Sequence, residues 1–374
     1  MQMREKTKKT DRIPCTVMRG GTSKGVFFYE EDIPPAGEDR DKFLCAVMGS
    51  PDNRQIDGLG GADPLTSKVA IVSKSERPDA DINYTFAQVS IDKATVDYRA
   101  NCGNITSAVG LFAVEEGFVP SDGPVGMVRI YNTNTDKILN VYVPCTDGYP
   151  EETGTYSIDG VPGVGPKLDL DFSGTAGAAS GKLLPTGNLI DTLEIPGYGK
   201  LEATVVDIAN PVVFVRASDL GLGGSETPEE LKNRPEIEEV LEKARSMGAQ
   251  LVGLVDNWEK ATAESPAVPL LAIVSAPVEK DVSLVCRLMF MQTMHKAYSG
   301  TASICTGVAA RIPGTIPYEY AEQGGTGFSI GHPAGIMDID IDVAVIDGKI
   351  EVKKGSFGRT ARRLMDGWVY ITKD

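Results

Sequence analysis

Histidine is nearly absent: the 374 residues hold two, His295 and His332. A histidine-rich metal site is thereby excluded, and a Ser-His-Asp triad would have to draw on one of these two. The six cysteines (15, 45, 102, 145, 286 and 305) are scattered with no C-x-x-C pair. That pattern fits neither a small disulfide scaffold nor a zinc knuckle and reads as reduced thiols. No apolar run approaches the ~20 residues that span a bilayer, and the basic start at 1–12 is not followed by an apolar segment, so a cytoplasmic protein is expected. Positive charge is short too. The 37 Lys and Arg against 52 Asp and Glu leave a net charge of −15, with no basic cluster beyond Arg4 to Lys9. Neither nucleic acid nor an anionic membrane is an expected partner.

What the chain does contain is a globular balance of 41% hydrophobic and 24% charged residues, with 41 glycines and 23 prolines. Such usage excludes a disordered or fibrous chain and predicts many turns between short strands. The length favours two domains with a cleft between them. Residues 13–29 read as a strand, a turn at Gly20-Gly21 and a second strand. A helix is predicted over 39–48, stopped by Gly49, with strands at 66–73, 83–91 and 94–99 and a helix opened by Asn101 that ends at Gly117. The second half repeats this order: strands at 201–208 and 212–216, helices near 229–247 and 282–294, and another helix after Gly300. Thr227, Pro228 and Glu230 form a helix-start signature, and Pro235 breaks or restarts that helix. The alternating Asp338 to Val343 reads as a hairpin face rather than a calcium site. A soft boundary falls at 185–196, where Gly, Pro and Asn cluster.

Four constellations could carry chemistry. Gly20-Gly21-Thr22-Ser23-Lys24-Gly25 offers donors and backbone freedom for an anion, or simply a tight hairpin. Asp63-Pro64-Leu65-Thr66-Ser67-Lys68 leads into an apolar strand, placing Lys68 where loop becomes strand, as a desolvated functional amine or as a solvated edge charge. In Asn101-Cys102-Gly103-Asn104, Asn101 is a candidate N-cap and Cys102 is expected in the first helical turn, beside amides that can hold a carboxylate; a buried, inert thiol is the alternative. Ser299-Gly300-Thr301 similarly opens the later helix, while Asn210-Pro211 and Gly331-His332-Pro333 mark polar turns.

Taken together, GGTSKG at 20–25, DPLTSK at 63–68, NCGN at 101–104, PTGN at 185–188 and IGHPAG at 330–335 resemble one family. It is the cofactor-independent allylic isomerase family that includes methylitaconate Δ-isomerase, methylaconitate isomerase and 4-oxalomesaconate tautomerase. The resemblance runs from about Ile13 to Trp368. It implies an α+β, diaminopimelate-epimerase-like fold, in which two similar domains each wrap a curved, mostly antiparallel sheet around a central helix, with the site in the cleft between them. Domains of 11–188 and 189–359 are expected, with 360–374 returning to the first and 1–10 disordered.

The resemblance also implies a small di- or tricarboxylate substrate, no metal and no cofactor, and it is compatible with a homo-oligomer. It places the general base on Lys68, the cleft cysteine on Cys102 and a substrate-contacting hydroxyl on Ser23. Thr22, Ser67, Gly103 and Asn104 join the candidate site as their neighbours, and His332 as part of its motif. Asn210-Pro211 resembles the Asn-Pro turn of the epimerases. Ser299, followed by Gly300 and Thr301, stands where those enzymes carry a second cysteine, which disfavours two-cysteine racemisation. A small-acid epimerase and a non-catalytic acid-binding protein are the rival functions.

Overall fold

The computed structural model describes residues 10–99, 101–277, 282–321, 323–346 and 348–372. The first part of the chain forms β1 (Thr10–Gly20), β2 (Ser23–Tyr29), α1 (Glu38–Met48), β3 (Lys68–Lys74), β4 (Ile82–Val89), β5 (Val96–Asp97), α2 (Gly103–Glu115), β6 (Val125–Asn132), β7 (Lys137–Thr146), β8 (Tyr149–Pro150) and β9 (Leu168–Asp171). There follow β10 (Asp191–Ile195), β11 (Gly199–Ile208), β12 (Asn210–Arg216), helices α3 (Pro228–Lys232), α4 (Pro235–Val252) and α5 (Ala261–Glu264), and then β13 (Leu270–Ser275), β14 (Leu284–Phe290) and β15 (Thr293–Met294). The chain closes with α6 (Gly300–Ala309), α7 (Ile316–Tyr320), β16 (Gly327–His332), β17 (Gly335–Ile346), β18 (Lys349–Arg359) and β19 (Ala361–Thr372).

Strand pairing exposes a repeat. From β1 the sheet runs antiparallel to β2, parallel to β3, antiparallel to β4, parallel to β6, then antiparallel to β7 and β9. From β11 it runs antiparallel to β12, parallel to β13, antiparallel to β14, parallel to β16, then antiparallel to β17 and β18. The two runs meet where β9 pairs with β18. Each run also receives a strand that follows the end of the other: β10 pairs with β11, and β19 pairs with β1 along its whole length.

Helices α2 and α6 are the centres of these runs. Neither carries a charged residue before Glu115, so each is apolar nearly all round and is buried rather than amphipathic. Ile105, Val109 and Phe112 of α2 share one continuous core with Ile304 and Val308 of α6, across the stacked rings of Phe172 and Phe357, 5.5 Å apart. The opposite sheet faces are covered separately, by α1 through Phe43, Leu44 and Val47 and by α4 through Val240, Leu241 and Ala244.

Local signals explain many boundaries. Gly49 ends α1 in the left-handed region (φ 77°), Thr227 and Glu230 close a reciprocal capping box on α3, and Pro235 restarts the chain as the first residue of α4. Two expectations are corrected. Residues 282–294 form strands β14 and β15, not a helix, because the apolar run Leu284–Phe290 is buried on both faces between β13 and β16; a short apolar run has no periodicity that separates the two states. Cys102, not Asn101, is the N-cap of α2 and so lies before the first turn. The Asn101 side chain instead accepts hydrogen bonds from Asn132 and Thr106. The segment 1–10, expected to be disordered, lies outside the described residues apart from Thr10, which opens β1. No helix among the described residues is long and apolar enough to cross a membrane.

Candidate active site

The two central helices begin at the same place. A Cβ on Gly103 would stand 2.9 Å from the ring of Phe357, and one on Gly300 would clash with that same ring. Glycine at both helix starts therefore lets both backbones close on one side chain. Asn210, at the first position of β12, ties the ends together. Its Nδ2 donates to the Asn101 carbonyl at 2.8 Å and to Thr301 Oγ1 at 3.0 Å, while its Oδ1 accepts from the Asn101 N–H at 3.0 Å. The starts differ chemically: Ser299 Oγ caps α6 by accepting from the Ala302 N–H at 3.1 Å, whereas Cys102 makes no side-chain cap on α2. First-turn amides of α2 are thus available to an anion in front of them.

Lys68 faces these ends from the first position of β3, where it pairs with Gly25 of β2 and Gln88 of β4. It is only 3% exposed, and its Nζ donates to Gln88 Oε1 at 2.7 Å. Gln88 is itself oriented, since its Nε2 donates to the carbonyls of Ser67 and Pro64. The amine lies 5.0 Å from the centre of the Phe86 ring and 5.9 Å from that of Phe290. Among the described residues no carboxylate forms an ion pair with it. A buried amine held by a neutral amide and two rings has the surroundings of a reactive group rather than of an edge lysine.

A cavity of about 50 Å³ is shared by Ser23, Lys68, Cys102, Gly103, Asn104 and Asn210 with Ser299, Gly300 and Thr301. Nine of the twelve candidates are therefore gathered in one chamber. Thr22 and His332 instead line a second, larger cavity of about 380 Å³. Asn104 stands between the two spaces: it lines the first, and its Nδ2 donates to Thr22 Oγ1 of the second at 2.9 Å and to Ser23 Oγ at 3.3 Å. Ser67 lines neither: its hydroxyl donates to the Val89 carbonyl and accepts from Gln55 Nε2, both at 2.8 Å, beneath the chamber floor. The paired glycines of the first motif serve close packing, because a Cβ on Gly20 or Gly21 would clash with Asn104. Thr186 and Asn188 of the PTGN motif hold Asp191 in a local turn.

Sequence reasoning passed over five contributors. Gln88 and the aromatic pair Phe86 and Phe290 become visible only through strand register. His295, just beyond the segment misread as helix, lines the chamber, where its Nδ1 accepts from the Ala297 N–H at 3.0 Å. Burial pushes its pKa down, and the nearby Lys68 charge acts in the same direction. His332 is held at about 4, chiefly by burial. Arg359, the last residue of β18, is 7% exposed and donates from Nε to Asn104 Oδ1 at 3.0 Å. No grouping of three or more potential metal ligands occurs among the described residues.

Comparison with known proteins places the chain among relatives of full length. The family model for PrpF protein matches residues 10–372. The 3-methylitaconate isomerase of Eubacterium barkeri is 48% identical over 377 residues, covering 97% of this chain and 98% of that protein. The 2-methyl-aconitate isomerase of Cupriavidus necator is 39% identical over 390 residues, covering 97% and 98%. A crystal structure of methylitaconate-delta-isomerase matches with a TM-score of 0.81 at 47% identity, over 98% of this chain and 97% of that one. A hydroxyproline epimerase from Agrobacterium vitis, at 10% identity and a TM-score of 0.57 over 99% and 95%, shares the fold alone. The architecture is the diaminopimelate-epimerase-like α+β fold, and the chain belongs to the PrpF protein family.

Proposed function

We propose that the chain is an isomerase that moves a C=C bond by a 1,3 proton shift in a small unsaturated dicarboxylate such as methylitaconate, giving dimethylmaleate. The observation that carries this reading is the buried Lys68 amine, free of a carboxylate partner, in one chamber with the starts of α2 and α6. The identity to 3-methylitaconate isomerase supports the substrate class.

In this mechanism neutral Lys68 removes the proton from the carbon that lies between the alkene and one carboxylate. The electron pair is shared between the two outer allylic carbons and the carboxylate on the deprotonated carbon, the double bond shifts, and the terminal CH₂ takes a proton to become CH₃. Atoms and electrons balance without an electron carrier, so the reaction needs no cofactor. The demanding step is the gain of charge on a group that is already anionic. First-turn amides of α2, together with Thr301 and Ser23, provide fixed donors for that oxygen. Cys102 orients the substrate or relays a proton beside them. The site lies between two units, 11–188 with 360–374 and 189–359.

A tricarboxylate such as methylaconitate or oxalomesaconate is the alternative substrate, favoured by the second, larger cavity behind Asn104. An epimerase would need two opposed bases, and Ser299 is engaged as a helix cap. The deciding experiment incubates each acid in deuterated buffer and follows ultraviolet absorbance and proton spectra. Exchange with double-bond migration is expected; exchange with inversion alone would show an epimerase, and binding without exchange a carrier.

A further inference from the structure

Arg359 is a buried guanidinium that no carboxylate among the described residues pairs with. Its Nε donates to Asn104 Oδ1 at 3.0 Å, Nη1 to the Gly358 carbonyl at 2.9 Å, and Nη2 reaches only the weak acceptor Met337 Sδ at 3.6 Å. Its flat face lies on Phe357, 4.5 Å from the ring centre. A guanidinium carries five N–H donors, so one N–H on each terminal nitrogen is without a protein partner among the described residues. Burying a permanent charge in this state is costly unless something else satisfies it. Burial alone already draws its pKa down to about 10.

The surroundings indicate what is missing. Arg359 lines the cavity of about 380 Å³ with Thr22, Tyr156 and His332, and it donates to Asn104, a residue that lines the Lys68 chamber. Two carboxylates also border the space, but both have other partners: Asp159 accepts from the Ile336 N–H at 3.1 Å and Asp338 from Ser329 Oγ at 2.6 Å. Neither is placed to neutralise the guanidinium, and an arginine with paired free donors matches a planar carboxylate.

We infer that Arg359, with Thr22 and Asn104 beside it, is the subsite for a second carboxylate of the substrate, the one on the central alkene carbon, which gains no charge when Lys68 acts on the neighbouring carbon. This deepens the isomerase reading and rests on it for the orientation of the acid. Held at both ends, the substrate carbon chain spans the Asn104 junction, and its allylic unit is presented to Lys68 in one direction only. Preference for diacids over monoacids then originates in β18, far in sequence from the motifs that surround the base.

The test is binding measured by calorimetry, with two ligands. One is the methylitaconate–dimethylmaleate mixture at equilibrium; the other is 2,3-dimethylbut-3-enoate, in which a methyl group replaces the carboxylate on the central alkene carbon. Wild type should bind the diacid at least about tenfold more tightly, and Arg359→Gln should lose at least about tenfold for the diacid with little change for the monoacid, removing the preference. A smaller loss for the diacid, or an equal loss for both acids, overturns the assignment. If Arg359→Gln does not fold, as judged by its circular dichroism, the wild-type preference decides, and a ratio below about tenfold overturns the subsite. Diacid preference without turnover would sink the isomerase reading and leave the subsite standing. Turnover without an Arg359 effect would do the reverse.

Discussion

The two runs of strands deliver equivalent positions to one chamber and furnish them differently. The first brings Lys68 from the start of β3, paired with Gln88, and Cys102 ahead of α2. The second brings Leu270 from the start of β13 and Phe290 from the end of β14, with Ser299 ahead of α6. A wall carrying Lys68 thus faces one of Leu270, Phe290 and the buried imidazole of His295, beside a capped helix. The backbone repeat supplies two helix starts facing one chamber, and the proposed mechanism assigns proton transfer to the one beside Lys68. A pseudo-symmetric fold can in this way host an asymmetric reaction, one base serving both carbons of a short allylic unit.

Removing the amine should break this asymmetry most severely. Lys68→Ala is expected to lower kcat by roughly 10³–10⁴-fold, and Lys68→Arg nearly as much, because a guanidinium does not deprotonate in proteins. Steady-state rates with unchanged circular dichroism would check this, and a mutant keeping a tenth of wild-type turnover would sink the assignment. Cys102→Ser should keep measurable activity, with a loss of about 10–100-fold, since the thiol assists rather than abstracts. A loss as complete as that of Lys68→Ala would make the pair an obligatory acid and base. Stereochemistry offers a sharper reading. With Lys68 as the one base of the mechanism, deuterium leaving one carbon should reappear in part on the same face of the other in a single turnover, and antarafacial transfer would contradict this and implicate a second group in the chamber such as His295.

Much of this asymmetry is legible in residue types and little of it in residue contacts. The β1–β2 hairpin, the stop at Gly49, the capping box at Thr227 and the restart at Pro235 follow from local backbone preferences, and those elements stand where expected. Ser67 shows the limit of adjacency: consecutive strand-entry residues point to opposite sides, so the neighbour of Lys68 turns away from the chamber. Gln88 lies 20 positions from Lys68 and Arg359 lies 255 from Asn104; both partnerships depend on register, which no local pattern encodes. The apolar run at 284–290 was ambiguous because burial on both faces erases the alternation that marks a strand.

Smaller effects should come from the second run. Ser299→Ala removes the cap on Ala302, and a loss of about 1 kcal/mol in unfolding free energy is expected from denaturant titration. Turnover should fall only a few-fold, far less than for Cys102→Ser. A greater kinetic effect at Ser299 than at Cys102 would place the reacting proton on the wrong helix and invert the comparison.

The smallest effect concerns pH and also separates the two runs, because both histidines belong to the second. His332 stays neutral down to about pH 4, chiefly through burial, with His295, Arg287 and Arg359 opposing its protonation and Asp159 favouring it. Its Nδ1 is moreover an acceptor for the Ala334 N–H at 3.2 Å, a bond that protonation would remove. An unfolded chain binds a proton at this position below about pH 6.5. Between there and pH 4 the unfolded state therefore holds more protons than the folded one, and stability falls as pH falls. His332→Asn keeps an acceptor for the Ala334 N–H and does not titrate. Its melting temperature should decline less steeply than that of wild type as pH is lowered from 6.5 to 4, with the two curves parallel above pH 7. The difference between the curves isolates His332 from every other group that titrates in the window, His295 included. Parallel curves throughout would mean that this imidazole is not held neutral by the fold, and the chemical distinction between the two cavities would then rest on Arg359 alone.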